Sequence, residues 1–130
     1  MTYKFQRLEV YQIALEYLDL MYLLAAALPK TEEYNLKSQI IRAGTSVVLN
    51  ISEGSTGQSD AEQSRFLGMA LRSLIETVAC RDIIIRRGYQ TGEALQRSAE
   101  VGEKLFAKVQ ALRRTLEPKA IRSAVVGHRS

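Results

Sequence analysis

The sequence predicts an all-α domain, an antiparallel up-down-up-down bundle of four helices. Apolar residues recur at steps of three and four in four segments of the 130-residue chain, which is the period of an amphipathic helix. Joints containing glycine or proline separate these segments, and no segment shows the alternation and turn signals of a strand. Short loops favour an up-and-down arrangement. We place the bundle in residues 1–117 and a basic C-terminal tail in residues 118–130.

The first helix is predicted from about Phe5 to Leu28, and its composition indicates an oligomer. Its polar residues fall on one narrow stripe that faces solvent: Glu9, Gln12, Glu16 and Asp19. From Leu20 to Leu28 (LMYLLAAAL) no polar residue remains. Because a helix in a monomeric bundle needs only one apolar stripe, the excess predicts a second buried surface and therefore assembly with other copies.

The second helix follows the break at Pro29, and either Thr31 or Asn35 can serve as its N-cap. Its apolar stripe repeats at steps of three and four: Leu36, Ile40, Ala43, Val47 and Ile51. The segment Gly54 to Gly57 (GSTG) then forms the joint to the third helix.

The third and fourth helices have clear end signals. Ser59 or Asp60 can cap the start of the third helix, which runs to Arg86, and Gly88 can adopt the left-handed conformation after its end. Pro118 ends the fourth helix. The seam of that helix contains two small residues that allow another helix to approach closely: Leu95, Ser98, Gly102, Leu105, Val109, Leu112 and Leu116.

The stretch SVVLNISEG places polar residues inside the apolar second helix. Arg42, Ser46, Asn50 and Glu53 step by four, four and three, so they lie within roughly 80° of one another on the helix surface. One interpretation makes Glu53 a general base or a metal ligand. The other, which we favour, is a structural polar network that fastens the second helix to the third, formed by Arg42, Ser46, Asn50, Glu53, Ser73 and Glu76.

The sequence predicts neither catalysis nor a bound metal or cofactor. Its only histidine is His128 in the tail and its only cysteine is Cys80, so no nucleophile with a histidine base can be assembled. The Glu-x-x-His motifs of di-iron bundles are absent. A single cysteine, no signal-peptide pattern and no apolar run longer than Leu20–Leu28 together predict a cytoplasmic protein that does not enter membranes.

Positive charge is concentrated in the second half of the chain. Residues 1–64 carry five basic and eight acidic side chains, whereas residues 65–130 carry thirteen basic and six acidic ones. Such asymmetry is typical of chains that bind nucleic acid, although it could equally let the basic end of one subunit meet the acidic end of another. For each basic patch alone, helix-dipole complementation and solubility are the other interpretation. The candidate contacts lie near the ends of the third and fourth helices and in the tail: Arg86, Arg87, Arg113, Arg114, Lys119, Arg122 and Arg129.

Four segments carry a resemblance to a known family: FQRLEVYQIAL, LPKTEEYNLKSQIIRA, SVVLNISEG and FLGMALRSLIET. In this order and spacing, over roughly residues 3–90, the chain resembles the 23S rRNA intervening-sequence protein family of small bacterial four-helix bundles. The resemblance implies a homopentameric ring, RNA affinity and no enzyme activity. It also implies a fold shared with the accessory protein of diversity-generating retroelements, which binds nucleic acid and a reverse transcriptase.

The chain departs from the family pattern at four positions. Val47 and Val48 stand where the family usually has a proline after the serine, which predicts a straighter second helix. Ile41 replaces a usual arginine and Arg72 a common glycine, so positive charge moves from the second helix to the third. The basic patches, repeated around the ring that the resemblance implies, predict sequence-independent RNA binding. The alternative is a protein-interaction scaffold without nucleic-acid binding.

Overall fold

The structure, a computed structural model, describes residues 2–56 and 59–117, and within them the chain is helical. The four α-helices are α1 (Glu9–Ala26), α2 (Leu36–Gly54), α3 (Asp60–Arg86) and α4 (Glu93–Thr115). Two 3₁₀ turns, Lys4–Arg7 and Lys30–Glu32, precede α1 and α2, and the described residues contain no strand. The four-helix prediction is therefore confirmed, while the predicted tail, residues 118–130, lies outside the described residues.

The first helix is shorter than predicted at both ends. Leu8 is extended, with φ −70° and ψ 133°, so it separates the 3₁₀ turn at Lys4–Arg7 from α1. The turn is closed by its own contacts, because the Tyr3 amide donates to Oε1 of Gln6 at 2.7 Å. At the other end the helix stops at Ala26, shortly before Leu28, for which the following Pro29 disfavours helical conformation.

The start of α2 is capped by a side chain that the sequence did not single out. Asn35 occupies the N-cap position, but its side chain accepts no backbone N–H. Instead Oε1 of Glu32 accepts hydrogen bonds from Nδ2 of Asn35 at 3.0 Å and from the Leu36 amide at 3.4 Å. Thr31 lies inside the preceding 3₁₀ turn. Glu32 therefore supplies the acceptor expected from Thr31 or Asn35.

Both ends of α3 agree with the sequence signals. Oγ of Ser59 accepts a hydrogen bond from the Glu62 amide at 3.2 Å, so Ser59 rather than Asp60 is the N-cap. Gly88 has φ +68°, and its amide donates to the Ile85 carbonyl at 3.0 Å. The Tyr89 amide donates to the Ile84 carbonyl at 3.0 Å, which completes the two-bond arrangement that ends many helices.

The apolar stripes of all four helices meet in one core. Every residue predicted for the stripe of α2 is buried. On α4 the predicted seam is buried from Leu95 to Val109, while Leu112 and Leu116 are half-buried. Gly102 permits the expected close approach, since a Cβ there would lie 3.0 Å from Cε1 of Tyr17. The largest fully buried side chains include Tyr17, Met21, Leu24, Ile40, Ile51, Leu67, Leu74, Ile84 and Leu105.

Most of the apolar circumference of α1 is used inside the subunit. Leu24 and Ala25 are buried in its own core. The apolar residues that remain exposed are Tyr22 at 51% and Leu23 at 60%, together with Ala26 beside them. The second surface predicted for this helix is therefore confined to its last two turns. No helix in residues 2–56 and 59–117 combines the length and apolar character that a bilayer span requires.

Candidate functional site

Ser46 is the centre of the polar contacts between α2 and α3. Oγ of Ser73 donates a hydrogen bond to Oγ of Ser46 at 2.9 Å. Nδ2 of Asn50 donates to the Ser46 carbonyl at 2.9 Å and to its Oγ at 3.0 Å. All three side chains are half-buried. The predicted fastening of α2 to α3 thus passes through two serine hydroxyls, while Asn50 orients Ser46 from within its own helix.

Arg42 and Glu76 form a second, separate link between the same two helices. Nη2 of Arg42 donates to Oε2 of Glu76 and to Oε1 of Gln39, the latter at 2.6 Å. The Arg42 side chain is 61% exposed and the Glu76 side chain 40% exposed. An ion pair so open to water contributes little to stability. The link therefore aligns the helix surfaces and adds little to the core.

Glu53 does not join the network predicted for it. It is exposed, and no described residue donates a hydrogen bond to its carboxylate. At this level α3 presents the apolar Phe66, because a Cβ on Gly54 would lie 3.0 Å from Cβ of Phe66. The neighbouring cation, Arg65, is held by Glu62 at 3.0 Å in its own helix. The six predicted residues therefore form two small clusters, and Glu53 belongs to neither.

The most deeply buried polar contact was not predicted from the sequence. The Tyr17 hydroxyl lies 2.6 Å from Oγ1 of Thr77, and Thr77 in turn donates to the Leu74 carbonyl. Both side chains are almost completely buried. Burial raises the pKa of Tyr17, and the bond to Thr77 offsets this only in part. The sequence feature that could have indicated this contact is Thr77, a polar residue on the buried stripe of α3, three residues after Leu74.

The first candidate basic patch lies at the C-terminal end of α3. Arg86 and Arg87 are both exposed there. The Arg87 guanidinium lies 5.9 Å from the centre of the Tyr89 ring. The Tyr89 hydroxyl donates to Oε2 of Glu32 at 2.7 Å, which is the main reason that the pKa of Glu32 is lowered. One carboxylate thus lies close to this otherwise basic end.

The second candidate patch lies far from the first. Nε of Arg113 donates to Oγ of Ser64 at 3.2 Å, and its guanidinium packs on Gly68 near the start of α3. At 1.5 Å per residue, Ser64 and Arg86 are about 33 Å apart along the helix. Arg114 is exposed, whereas Arg113 is half-buried. Lys119, Arg122 and Arg129 lie outside the described residues.

Several other cations are already paired with carboxylates. Arg97 pairs with Glu16 at 2.6 Å and Lys108 with Glu9 at 2.8 Å, both joining α4 to α1. Lys37 and Arg65 pair within their own segments. In the described part of the chain, Arg86, Arg87, Arg113 and Arg114 have no ion pair of this kind. None of these four arginines is therefore neutralised by an ion pair within the described residues.

Metal-binding and nucleophilic groups are sparse. Among the described residues, no group of three or more histidine, cysteine, aspartate or glutamate side chains could hold a metal ion. Cys80 is a buried free cysteine, and burial, with a smaller contribution from Glu76, raises the pKa of its thiol. A thiol with a raised pKa is a weak nucleophile near neutral pH. His128 lies outside the described residues.

Comparison with known proteins identifies the family. The family model described as 23S rRNA-intervening sequence protein matches residues 6–111. The chain belongs to this family. It is also similar to a solved crystal structure from Bacteroides thetaiotaomicron VPI-5482, a protein of unknown function from the S23 ribosomal protein family. The two chains are 25% identical, with a TM-score of 0.73 over 81% of this chain and 95% of the other.

The comparisons support the resemblance stated from the sequence and its four-helix fold. None of the curated proteins matches the chain. The family assignment therefore supplies a fold, and the chemistry of this chain depends on its own surface.

Proposed function

We propose that the protein is a non-enzymatic, oligomeric four-helix bundle that binds RNA weakly and without reading its sequence. The contacts would be made by arginines at the two ends of the subunit, Arg86 and Arg87 at one and Arg113 and Arg114 at the other. Backbone phosphates are the natural ligands of such cations. The tail residues Lys119, Arg122 and Arg129 belong to the same proposal, as does a cytoplasmic location.

The observation that carries this proposal is the distribution of ion pairs. Two cations on the sides of the bundle, Arg97 and Lys108, are neutralised by carboxylates of α1. The four candidate arginines make no ion pair with any described residue. A cation already paired with a carboxylate releases less free energy on meeting a phosphate, because the existing pair must first be broken. The end arginines are therefore better phosphate ligands than the paired Arg97 and Lys108.

Assembly is the second part of the proposal. Within the subunit, the ion pairs Glu9–Lys108 and Glu16–Arg97 support antiparallel packing of α1 against α4, because the residue number rises along α1 as it falls along α4. Exposed Tyr22 and Leu23 offer an apolar contact for another copy. A ring, pentameric by the family resemblance, would repeat each basic patch around a rim, so that weak phosphate contacts add. Light scattering that gives a monomer mass of 14.6 kDa at micromolar concentration would disprove assembly.

Salt titration tests RNA binding directly. Fluorescence anisotropy with a labelled single-stranded RNA and a scrambled version of it should give equal affinities. The logarithm of affinity should fall linearly with the logarithm of salt concentration, with a slope of about −0.7 for each phosphate contact. The double variant Arg86→Gln/Arg87→Gln should make the slope less steep by about 1.4, which corresponds to the loss of two phosphate contacts.

The matched control is Arg65→Gln/Arg97→Gln, which also removes two exposed arginines, but ones that are ion-paired. It should change the slope much less. No detectable binding at about 50 mM salt, or equal losses in both double variants, would disprove the proposal.

A protein-interaction scaffold is the second candidate function, and the exposed apolar residues favour it. Besides Tyr22 and Leu23, Ile83 and Ile85 near the end of α3 are about half exposed. Large exposed apolar side chains mark protein-binding surfaces when they cluster. A partner recovered equally from nuclease-treated and untreated lysate, and lost in Leu23→Glu, would support this function. A partner lost on nuclease treatment would favour RNA binding.

A further inference from the structure

Helices α3 and α4 present an apolar surface to solvent on one side of the bundle. This surface, the α3–α4 face, is formed by Ile75, Val78, Ala99, Phe106 and Ala107. Ile75 is 55% exposed and Val78 37% exposed, and Ala107 is exposed beside them. Exposed apolar side chains that cluster mark binding surfaces. The exposed fractions show that no other described element covers this face.

The exposed charge at the α3–α4 face is negative. Glu103 belongs to its lining, and Asp82 lies one helical turn after Val78 on the same side of α3. Both carboxylates are exposed, and neither takes part in an ion pair of the described residues. The cation in the lining, Arg81, is half-buried. The face therefore favours a partner that is both apolar and basic.

Residues 118–130, which lie outside the described residues, have this composition. They contain three large apolar residues, Ile121, Val125 and Val126, and no acidic residue. Their basic residues are Lys119, Arg122, His128 and Arg129. The chain therefore carries an apolar and basic segment directly after α4.

The point at which α4 ends brings this segment within reach of the face. Helix α4 ends at Thr115, and Phe106 and Ala99 precede that residue by about 14 Å and about 24 Å along the helix. An extended chain spans up to about 3.3 Å per residue. From Thr115, Ile121 can therefore reach the level of Phe106 and Val125 the level of Ala99, with several Å left for the change of direction.

We propose that the α3–α4 face is the docking site of residues 121–126 of the same chain. The contact removes apolar surface of both partners from water. Because the segment is tied to the end of α4, its effective concentration at the face is high, and a small apolar contact is enough to hold it. A separate molecule would lose more translational freedom on binding there. The inference is independent of RNA binding, because the contact depends on apolar side chains and not on the tail cations.

Trypsin cleavage after Lys119 or Arg122 in the intact protein tests the proposal, because a docked segment is cut only while it is released. Mass spectrometry follows the cleavage, and a synthetic peptide of residues 118–130 gives the intrinsic rate. The protein should be cut roughly tenfold more slowly than the peptide. In Ile75→Glu, which places a charge on the face, the rate should rise by roughly fivefold or more.

The matched control is Ile83→Glu, which introduces the same charge at another exposed isoleucine of α3. Ile83 is 46% exposed and lies about 80° around the helix from Ile75, so its variant should be cut at the natural rate. Ile121→Ser keeps the test valid if Ile75→Glu fails to fold by circular dichroism, because it leaves the bundle sequence unchanged. Relative to a peptide with the same substitution, Ile121→Ser should also be cut faster than the natural protein.

A disulfide experiment tests whether the segment docks on its own chain. On oxidation, the double variant Ala99→Cys/Val125→Cys should form a disulfide within one chain. The control Ile83→Cys/Val125→Cys should form much less of it. Cys80 is buried, so it does not compete for the new thiols.

Three results would overturn the proposal. The first is trypsin cleavage of the protein as fast as that of the peptide. The second is equal cleavage rates in Ile75→Glu and Ile83→Glu, including the case in which another copy covers the face. The third is a disulfide that joins two chains in Ala99→Cys/Val125→Cys, which would assign the segment to a neighbour, or equal disulfide yields in the two double variants.

Discussion

Two single substitutions that remove the buried hydrogen bond between Tyr17 and Thr77 should lower the free energy of unfolding by different amounts. Tyr17→Phe removes the hydroxyl that lies 2.6 Å from Oγ1 of Thr77. The Thr77 hydroxyl keeps an acceptor, because it still donates to the Leu74 carbonyl. Only one net hydrogen bond is lost, so the free energy of unfolding should fall by about 1 kcal/mol.

Thr77→Val should cost more, although it breaks the same bond. Tyr17 is 2% exposed, so in this variant its hydroxyl is left buried without a partner. An unsatisfied buried hydroxyl costs about 2 kcal/mol. In the double variant Tyr17→Phe/Thr77→Val both polar groups are gone and the shape is nearly kept, so the total loss should be about 1 kcal/mol. The coupling free energy, the difference between the summed single losses and the double loss, is then about 2 kcal/mol.

Urea unfolding followed by circular dichroism measures all four proteins of this cycle. Protein concentration must be identical throughout, because self-association would contribute to the apparent stability. A coupling free energy near zero, or a Thr77→Val variant as stable as the natural protein, would refute the reasoning. Either result would mean that the Tyr17 hydroxyl has water or another acceptor in solution.

Three further predictions follow from burial and backbone geometry. Burial raises the folded-state pKa of Tyr17. The contribution of Tyr17 to stability is therefore fully present below its unfolded pKa of about 10 and is lost as pH rises further. In urea titrations at alkaline pH, the free energy of unfolding should decline less for Tyr17→Phe than for the natural protein. Gly88→Ala places a side chain at φ +68° and should cost about 1–2 kcal/mol in the same assay, and a loss under 0.5 kcal/mol would contradict the assigned conformation. Leu23→Glu should keep the fold and weaken self-association in sedimentation experiments. Leu24→Glu, at a fully buried position, should instead unfold the subunit. A folded Leu24→Glu variant, or an unchanged sedimentation profile for Leu23→Glu, would contradict the assignment of the α1 faces.

Helix number and core stripes could be predicted because they depend on local periodicity. The stripe from Leu36 to Ile51 faces the core at every predicted position, since the steps of three and four leave one orientation that buries them all. The end of α3 could also be predicted, because Gly88 is a residue that tolerates the left-handed conformation. The break at Leu8 was not, because nothing in its local sequence separates a 3₁₀ turn from a continuous helix.

The polar contacts were predicted less well because they depend on which side chains face each other across helices. Ser46 and Ser73 meet as expected, but Glu53, on the same stripe, faces a level at which α3 presents Phe66. Tyr17 and Thr77 are 60 residues apart in sequence, and each alone resembles an ordinary core position.

Two hydrogen bonds fix the connection between α3 and α4 at one end of the bundle, one to Glu32 and one to the end of α1. Glu32, in the connection between α1 and α2, accepts from Tyr89 in the connection between α3 and α4. Nε2 of Gln90 donates to the Leu24 carbonyl in the last turns of α1 at 2.7 Å. Neither connection can open without releasing a contact of the other. Fluctuations at this end should therefore be cooperative, and the amides that open with them should show a common opening free energy in hydrogen–deuterium exchange.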